Sequence, residues 1–172
     1  ESKDNIGNIM NYLYYPNGQL KECYLNRHPS YKINCTYDAQ GNRISITDPD
    51  AGTTTSFYDA FGQLVRQVNA NGDTSTFQYD IIGRILKSTD NRGDIFYSYI
   101  SDTTEASFGM VDSVYNDNYS VKQVFTYDSD FGHLLSETRS SSGKTFNHTY
   151  EYDWFGRPMS RTYPSGFVDN HN

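Results

Sequence analysis

Of 172 residues only two are cysteine, one is tryptophan and five are proline, and Lys and Arg number 14 against 21 Asp and Glu. Two cysteines exclude a scaffold stapled by many disulfides. A net charge of −7 without a basic cluster argues against a nucleic-acid partner, whose phosphates call for clustered cations, and against anionic lipid. No apolar run approaches the ~20 residues needed to cross a bilayer, so membrane insertion is not expected. His28, His133, His148 and His171 are scattered, none two to four residues from another His or Cys, which disfavours zinc. Asp48-Pro49-Asp50 and Asp128-Ser129-Asp130 lack the downstream Glu and frame of a calcium loop. Neither a Gly-x-Ser-x-Gly elbow nor a phosphate-cradling glycine loop appears. No catalytic residue, metal site or cofactor is therefore expected, and the chain does not read as an enzyme.

Core-forming residues are also scarce: hydrophobic residues make up 35% of the chain and the mean hydropathy is −0.76. What is abundant is Tyr, with 16 copies, and Phe, with 10. Flat rings favour strands, where they pack across a pleated surface. Between the aromatic clusters lie Gly, Asn, Asp and Ser, the residues of tight turns.

These features recur at a fixed period. Four close copies read Tyr37-Asp38-Ala39-Gln40-Gly41, Tyr58-Asp59-Ala60-Phe61-Gly62, Tyr79-Asp80-Ile81-Ile82-Gly83 and Tyr152-Asp153-Trp154-Phe155-Gly156. A fifth, from Tyr127 and Asp128 to Gly132, carries one extra residue. Degenerate copies begin at Tyr14, which reaches Gly18 through Pro16, and at Tyr99, which has lost the Asp and reaches its glycine only at Gly109. The seven markers 14, 37, 58, 79, 99, 127 and 152 are separated by 23, 21, 21, 20, 28 and 25 residues, the longer intervals holding insertions at 101–107 and 140–142. A second series of glycines, including Gly52, Gly72, Gly93, Gly143 and Gly166, marks another turn in most repeats. Each repeat is then two strands and two turns, and the intervals are too short and too rich in Gly, Thr, Val and aromatics for helices.

The motif has a physical reading. The Asp carboxylate accepts backbone N–H groups ahead of it, and the Gly takes a left-handed conformation closed to other residues. A type I turn followed by such a Gly closes a hairpin. Cys35, Ser56, Phe77, Tyr97, Phe125 and Tyr150 stand two places before their marker Tyr and share its face, while the residue between is usually polar. One face is thus expected to be aromatic and the other wet. Apolar residues such as Leu20, Ile44, Leu64, Ile85, Leu134 and Met159 follow the glycines and can cross the hairpin onto the Tyr. A single hairpin is marginal in water, so stability should grow as repeats stack. The regular carboxylates invite a metal or catalytic reading, yet turn closure gives each a local use. Exposed Tyr and Trp154 could stack on sugar rings, although most Tyr read as core.

Cys23 and Cys35 flank a loop from Asn26 to Ser30, and a hairpin folded about Pro29 would set them opposite each other. A disulfide fits that geometry, and so do two thiols buried in one face. The sequons at Asn34, Asn118 and Asn147 matter only in a glycosylating source.

On the strength of Tyr58-Asp59-Ala60-Phe61-Gly62-Gln63-Leu64 and Tyr79-Asp80-Ile81-Ile82-Gly83-Arg84-Ile85, the chain resembles the YD-repeat, or RHS, family from about Gly7 to Gly166. That family includes bacterial wall-associated and polymorphic-toxin proteins, shell components of insecticidal toxin complexes, and teneurins. The resemblance implies an all-β fold of tandem antiparallel hairpins in one long, curved or spiralling sheet, part of a hollow shell enclosing a C-terminal segment. Carbohydrate binding is also ascribed to the repeats. No protease-like segment of the kind that ends some family shells can be matched. The chain opens on Glu1-Ser2-Lys3 without a Met and stops after Pro164-Ser165-Gly166, so residues 1–172 are expected to be one repeat segment of a longer secreted or cell-surface protein. Its role is then non-enzymatic, a scaffold whose partners are neighbouring repeats, an enclosed segment or glycans. An excised segment would also leave unpaired strand edges, with edge-to-edge dimerisation the expected risk.

Overall fold

The computed structural model describes residues 1–5, 7–116 and 121–171; the sequon at Asn118 lies outside them. Every element among the described residues is a strand, as the repeat reading predicts. Two compact units divide the chain, Glu1–Gln78 and Tyr79–Asn172. The first contains β1 (Ser2–Lys3), β2 (Ile9–Tyr14), β3 (Leu20–Leu25), β4 (Lys32–Tyr37), β5 (Arg43–Asp48), β6 (Gly52–Tyr58) and β7 (Leu64–Val68), and β8 (Thr74–Tyr79) closes it. The second contains β9 (Ile85–Asp90), β10 (Gly93–Tyr99), β11 (Val111–Asn116), β12 (Val121–Tyr127), β13 (Leu134–Ser141), β14 (Lys144–Tyr152), β15 (Pro158–Thr162) and β16 (Val168–Asn170). Within each unit every strand pairs antiparallel with its chain neighbours. Within each unit successive turns therefore fall on opposite edges, and the Tyr-Asp turns of that unit share one of them.

Each of the 13 glycines has a positive φ, from 73° at Gly132 to 131° at Gly93. For any other residue this region costs roughly 1–2 kcal/mol, which is why glycine punctuates the chain so regularly. Ser142, with φ 50°, is the exception among the described residues, and it precedes Gly143 in the two-residue loop between Ser141 and Lys144.

At the Tyr-Asp edge the register slips. Tyr37 pairs Arg43 while Thr36 pairs Ser45; Tyr58 pairs Leu64 while Phe57 pairs Arg66; Tyr152 pairs Pro158 while Glu151 pairs Ser160. One extra residue, Ile44, Val65 or Met159, is thus inserted in the outgoing strand, a β-bulge that reverses the side-chain alternation after the glycine. This explains why the apolar positions after the glycines do not follow a strict period of two.

The face pattern differs from the expected aromatic side and wet side. Cys35 is the only buried hydrophobic residue among those described, while Ser113 and Ser160, on the polar-face register, are buried too. Within each unit the strands pair with their neighbours in a single sheet layer, so the described side chains shield one another only partly. Of the two readings of the cysteines, the structure shows free thiols on one face. The first hairpin of the pair turns about His28, with Tyr31 N–H donating to its carbonyl, so Cys23 pairs Ile33 and Cys35 pairs Ile46. Both are free thiols, two residues out of register on one face, a diagonal relation in which Cα atoms stand roughly 7–8 Å apart, too far for a relaxed disulfide.

Candidate functional site

Each Tyr-Asp turn is closed by the same bonds. The Asp38 N–H donates to Asn42 O at 3.0 Å and the Gly41 N–H to Asp38 O at 3.2 Å; at Asp59 the partners are Gln63 O and Gly62, at Asp80 Arg84 O and Gly83, at Asp153 Arg157 O and Gly156. In the longer copy Asp128 N–H donates to His133 O and Gly132 N–H to Asp128 O. Carboxylates fill the loop as the sequence implied. Asp80 Oδ1 accepts the N–H groups of Ile82 and Arg84 at 3.0 and 2.9 Å, and Oδ2 accepts Arg84 Nε at 2.6 Å. Asp38 and Asp153 do likewise, with the side chains of Asn42 and Arg157 on Oδ2, and Asp59 accepts the N–H groups of Phe61 and Gln63.

These bonds hold the carboxyls ionised. The Asn42 side-chain amide, with backbone N–H groups of its turn, lowers Asp38 below the usual carboxylate range. At Asp80 desolvation opposes the shift, but the Arg84 N–H and guanidinium outweigh it. The Phe131 N–H is the largest influence lowering Asp128, and the Arg157 N–H that lowering Asp153. Each carboxylate is spent inside its own turn rather than converging with the others. Among the described residues no group of three or more His, Cys, Asp or Glu is arranged to hold a metal ion.

The degenerate copies keep the backbone closure without the acid. Tyr15 N–H donates to Gln19 O and Gly18 N–H to Tyr15 O; Ile100 and Gly109 do the same around the 101–107 insertion, with Met110 O as acceptor. The insertion is anchored rather than loose: Ala106 N–H donates to Ser129 O in the next turn, and Ser107 is fully buried.

The marker tyrosines do something the sequence reading missed. Between hairpins the ladder stops short of the Tyr-Asp edge, ending at Ser45↔Thr55, Ser113↔Val124 and Ser136↔Thr149. Across the gap the Tyr58 hydroxyl donates to Arg43 O at 3.0 Å, Tyr127 to Val111 O at 2.9 Å and Tyr152 to Leu134 O at 3.1 Å. Those three acceptors are the residues opposite the previous marker Tyr. Tyr99 likewise donates to Ile85 O at 2.7 Å. Each Tyr thus staples its hairpin to the one before, satisfying a carbonyl that the bulged strand leaves unpaired. Burial pushes the Tyr99 and Tyr127 hydroxyls up, keeping them protonated as donors.

The residue after the glycine completes the link. The Arg84 guanidinium, bonded to Asp80, lies 4.2 Å over the Tyr99 ring, and His133, 3.1 Å from Asp128, stacks on Tyr152 at 4.7 Å. Gln19 Nε2 donates to Gly41 O at 2.9 Å. Turn n therefore touches turn n+1 through one side chain.

On the other edge the sequence reading missed one turn, at Gly7, and the shared design of two others that it had marked by their glycines, Gly72 and Gly166. Asp4, Asn69 and Tyr163 N–H groups donate to Asn8, Asp73 and Phe167 carbonyls, closed by Gly7, Gly72 and Gly166. The Asp4…Gly7-Asn8 spacing repeats Asp38…Gly41-Asn42 and was visible, but Lys3 stands where a Tyr would have drawn attention.

Known proteins agree with this geometry. Residues 58–95 match the RHS repeat family. That stretch carries an RHS repeat. No curated protein matches it. Solved structures do: the crystal structure of TcdB2-TccC3-Cdc42 overlays with a TM-score of 0.79 at 17% identity, covering 95% of this chain and 10% of that one. The crystal structure of TcdB2-TccC3 gives 0.78 at 17% identity, again covering 95% and 10%. The Photorhabdus luminescens Tc holotoxin pore gives 0.71 at 17%, covering 94% and 9%. The likeness is one of fold, and this chain spans about a tenth of the length of those matches.

Proposed function

We propose that the chain is a non-enzymatic wall segment of a secreted or cell-surface protein, a scaffold that encloses or presents other segments. The observation that carries this is the stapled row of hairpins: every carboxylate and marker hydroxyl described above is used to join the chain to itself, which makes a sheet extendable by repetition. Among the described residues Cys35 is the only buried hydrophobic one, as suits a wall that covers another segment. The overlay on chains of Tc toxin assemblies supports the same reading. The test is limited proteolysis of the complete gene product: the segment after the repeats should resist digestion while the wall is intact and become sensitive once it is unfolded. Equal sensitivity in both states would overturn the reading.

A second reading rests on a cleft of about 540 Å³ lined by Phe131, His133, Trp154, Phe155 and Asp130. Trp154 is 90% exposed, and an exposed indole beside a carboxylate suits a sugar ring. Since Trp154 is the single Trp, a glycan array combined with tryptophan fluorescence tests it. No array hit and no fluorescence change would remove it.

A further inference from the structure

The first unit contains a second cleft, of about 480 Å³, that the stapled turn row does not use. It lies at the opposite edge, where the loop after β3 replaces a tight turn. Its floor is Met10, Cys23, Leu25, Tyr31 and Ile33, and Asp48 and Asp50 line it beside Pro49. The register places the floor on one face: Met10 pairs Leu25, Cys23 pairs Ile33, and Asp48 stands two residues from Ile46, the partner of Cys35. The size lies within the range of built ligand sites, and the composition, apolar with a few polar groups, is theirs too.

The rim carries two carboxylates, and the imidazole of His28 also lines the cleft. Asp48 Oδ1 accepts the N–H groups of Asp50 and Ala51 at 2.8 and 3.0 Å, which hold its carboxyl low. Neither Asp48 nor Asp50 pairs with a Lys or Arg among the described residues, where the ion pairs lie elsewhere. Burial first, then the neighbouring Cys35 and Asp48, push the Cys23 thiol up. An apolar floor ending in unpaired carboxylates complements a long aliphatic stem that carries a cation.

We propose that this cleft binds an extended polypeptide through an Arg or Lys side chain, its methylenes on Met10, Leu25 and Ile33 and its cation on Asp48 and Asp50. The volume exceeds one side chain, so the apolar residue two positions along the peptide shares the floor, as the period of an extended chain requires. The inference does not depend on the wall reading and would hold for the segment alone.

The test uses the 172-residue protein and a fluorescein-labelled hexapeptide of serines with arginine at its second position and leucine at its fourth, with glutamate replacing arginine in the control. Anisotropy should show binding of the arginine peptide, weakened about tenfold in the D48N/D50N protein. Asn is a mild replacement, because Asn69 Oδ1 already accepts two backbone N–H groups in its own turn. In the unmutated protein the arginine peptide should slow maleimide labelling of Cys23, while Cys35, only 3% exposed, stays unlabelled. Equal binding of the glutamate control, undiminished binding by D48N/D50N, or unprotected Cys23 would each overturn the proposal. Should the double variant fail to fold, the Cys23 protection decides alone.

Discussion

The two rows of turns use one backbone design for different ends. On one edge, Asp38, Asp59, Asp80 and Asp153 close their loops and a Tyr precedes each; on the other, Asp4, Asn69 and Tyr163 close loops with the same bonds, preceded by Lys3, Val68 and Thr162. Only on the first edge do hydroxyls of the preceding Tyr residues, at 58, 127 and 152, reach the previous hairpin. Closing a hairpin and joining hairpins are thus separate tasks: Asp or Asn with Gly performs the first, and Tyr performs the second. Asx and Gly suffice for closure because its bonds are local. Joining needs a rigid side chain long enough to span the gap where the ladder splays.

The largest test of this contrast is at glycine. Gly132 and Gly143 have nearly equal φ, 73° and 75°, but a Cβ at Gly132 would stand 3.1 Å from the Ala106 carbonyl and from Met110, whereas at Gly143 nothing lies within 4 Å. Gly132→Ala should cost about 3 kcal/mol in urea unfolding and Gly143→Ala about 1, since strain acts at both and overpacking only at the first. Equal losses would show that the segment around Ala106 and Met110 does not press on the turn at Gly132.

Acid probes the closure. Asp38, Asp80, Asp128 and Asp153 all have lowered pKa values in the folded protein. Their contribution is complete above the ordinary carboxylate pKa and is lost as pH falls through the lowered values. Stability should therefore be flat near neutrality and decline below the ordinary carboxylate range, with a shallower decline in Asp80→Asn. At neutral pH Asp80→Ala should lower the urea midpoint more than Asp80→Asn, because Asn keeps an acceptor for the Ile82 and Arg84 N–H groups.

The staple comes next in size. Tyr127→Phe removes a hydroxyl bonded at 2.9 Å to Val111 O and should cost about 1 kcal/mol, the usual net worth of such a bond. Tyr14, 58% exposed, should tolerate Phe within about 0.5 kcal/mol. A matching loss at Tyr14 would dismiss the staple. The smallest effect is a gain: Ser142→Asn, placing Asn-Gly in a loop whose two residues both have positive φ, should raise stability by about 0.5 kcal/mol in thermal unfolding.

The opening motif was legible because its chemistry is local. Tyr37-Asp38…Gly41 predicted a hairpin, a side-chain-capped loop and a left-handed glycine, and the copies that had lost the Asp were placed by period alone. What escaped involved partners distant in sequence. The hydroxyl of Tyr58 finds Arg43 only because bulges peel the outgoing strands from their neighbours, and Cys23 misses Cys35 because the loop turns at His28 rather than Pro29. The cleft beside Asp48 was equally hidden, since its floor comes from several strands.

By itself the amino-acid sequence determined the all-β repeat, the turn positions and the identity of each closing Asp and Gly, because those are set by interactions within about five residues. Only the tertiary structure decided that Tyr58, Tyr99, Tyr127 and Tyr152 are staples rather than simple core, that Cys35 is the only buried hydrophobic residue among those described, and that carboxylates at Asp48 and Asp50 meet an apolar floor. These depend on register and bulges, which one residue of slip reverses and which no single repeat encodes.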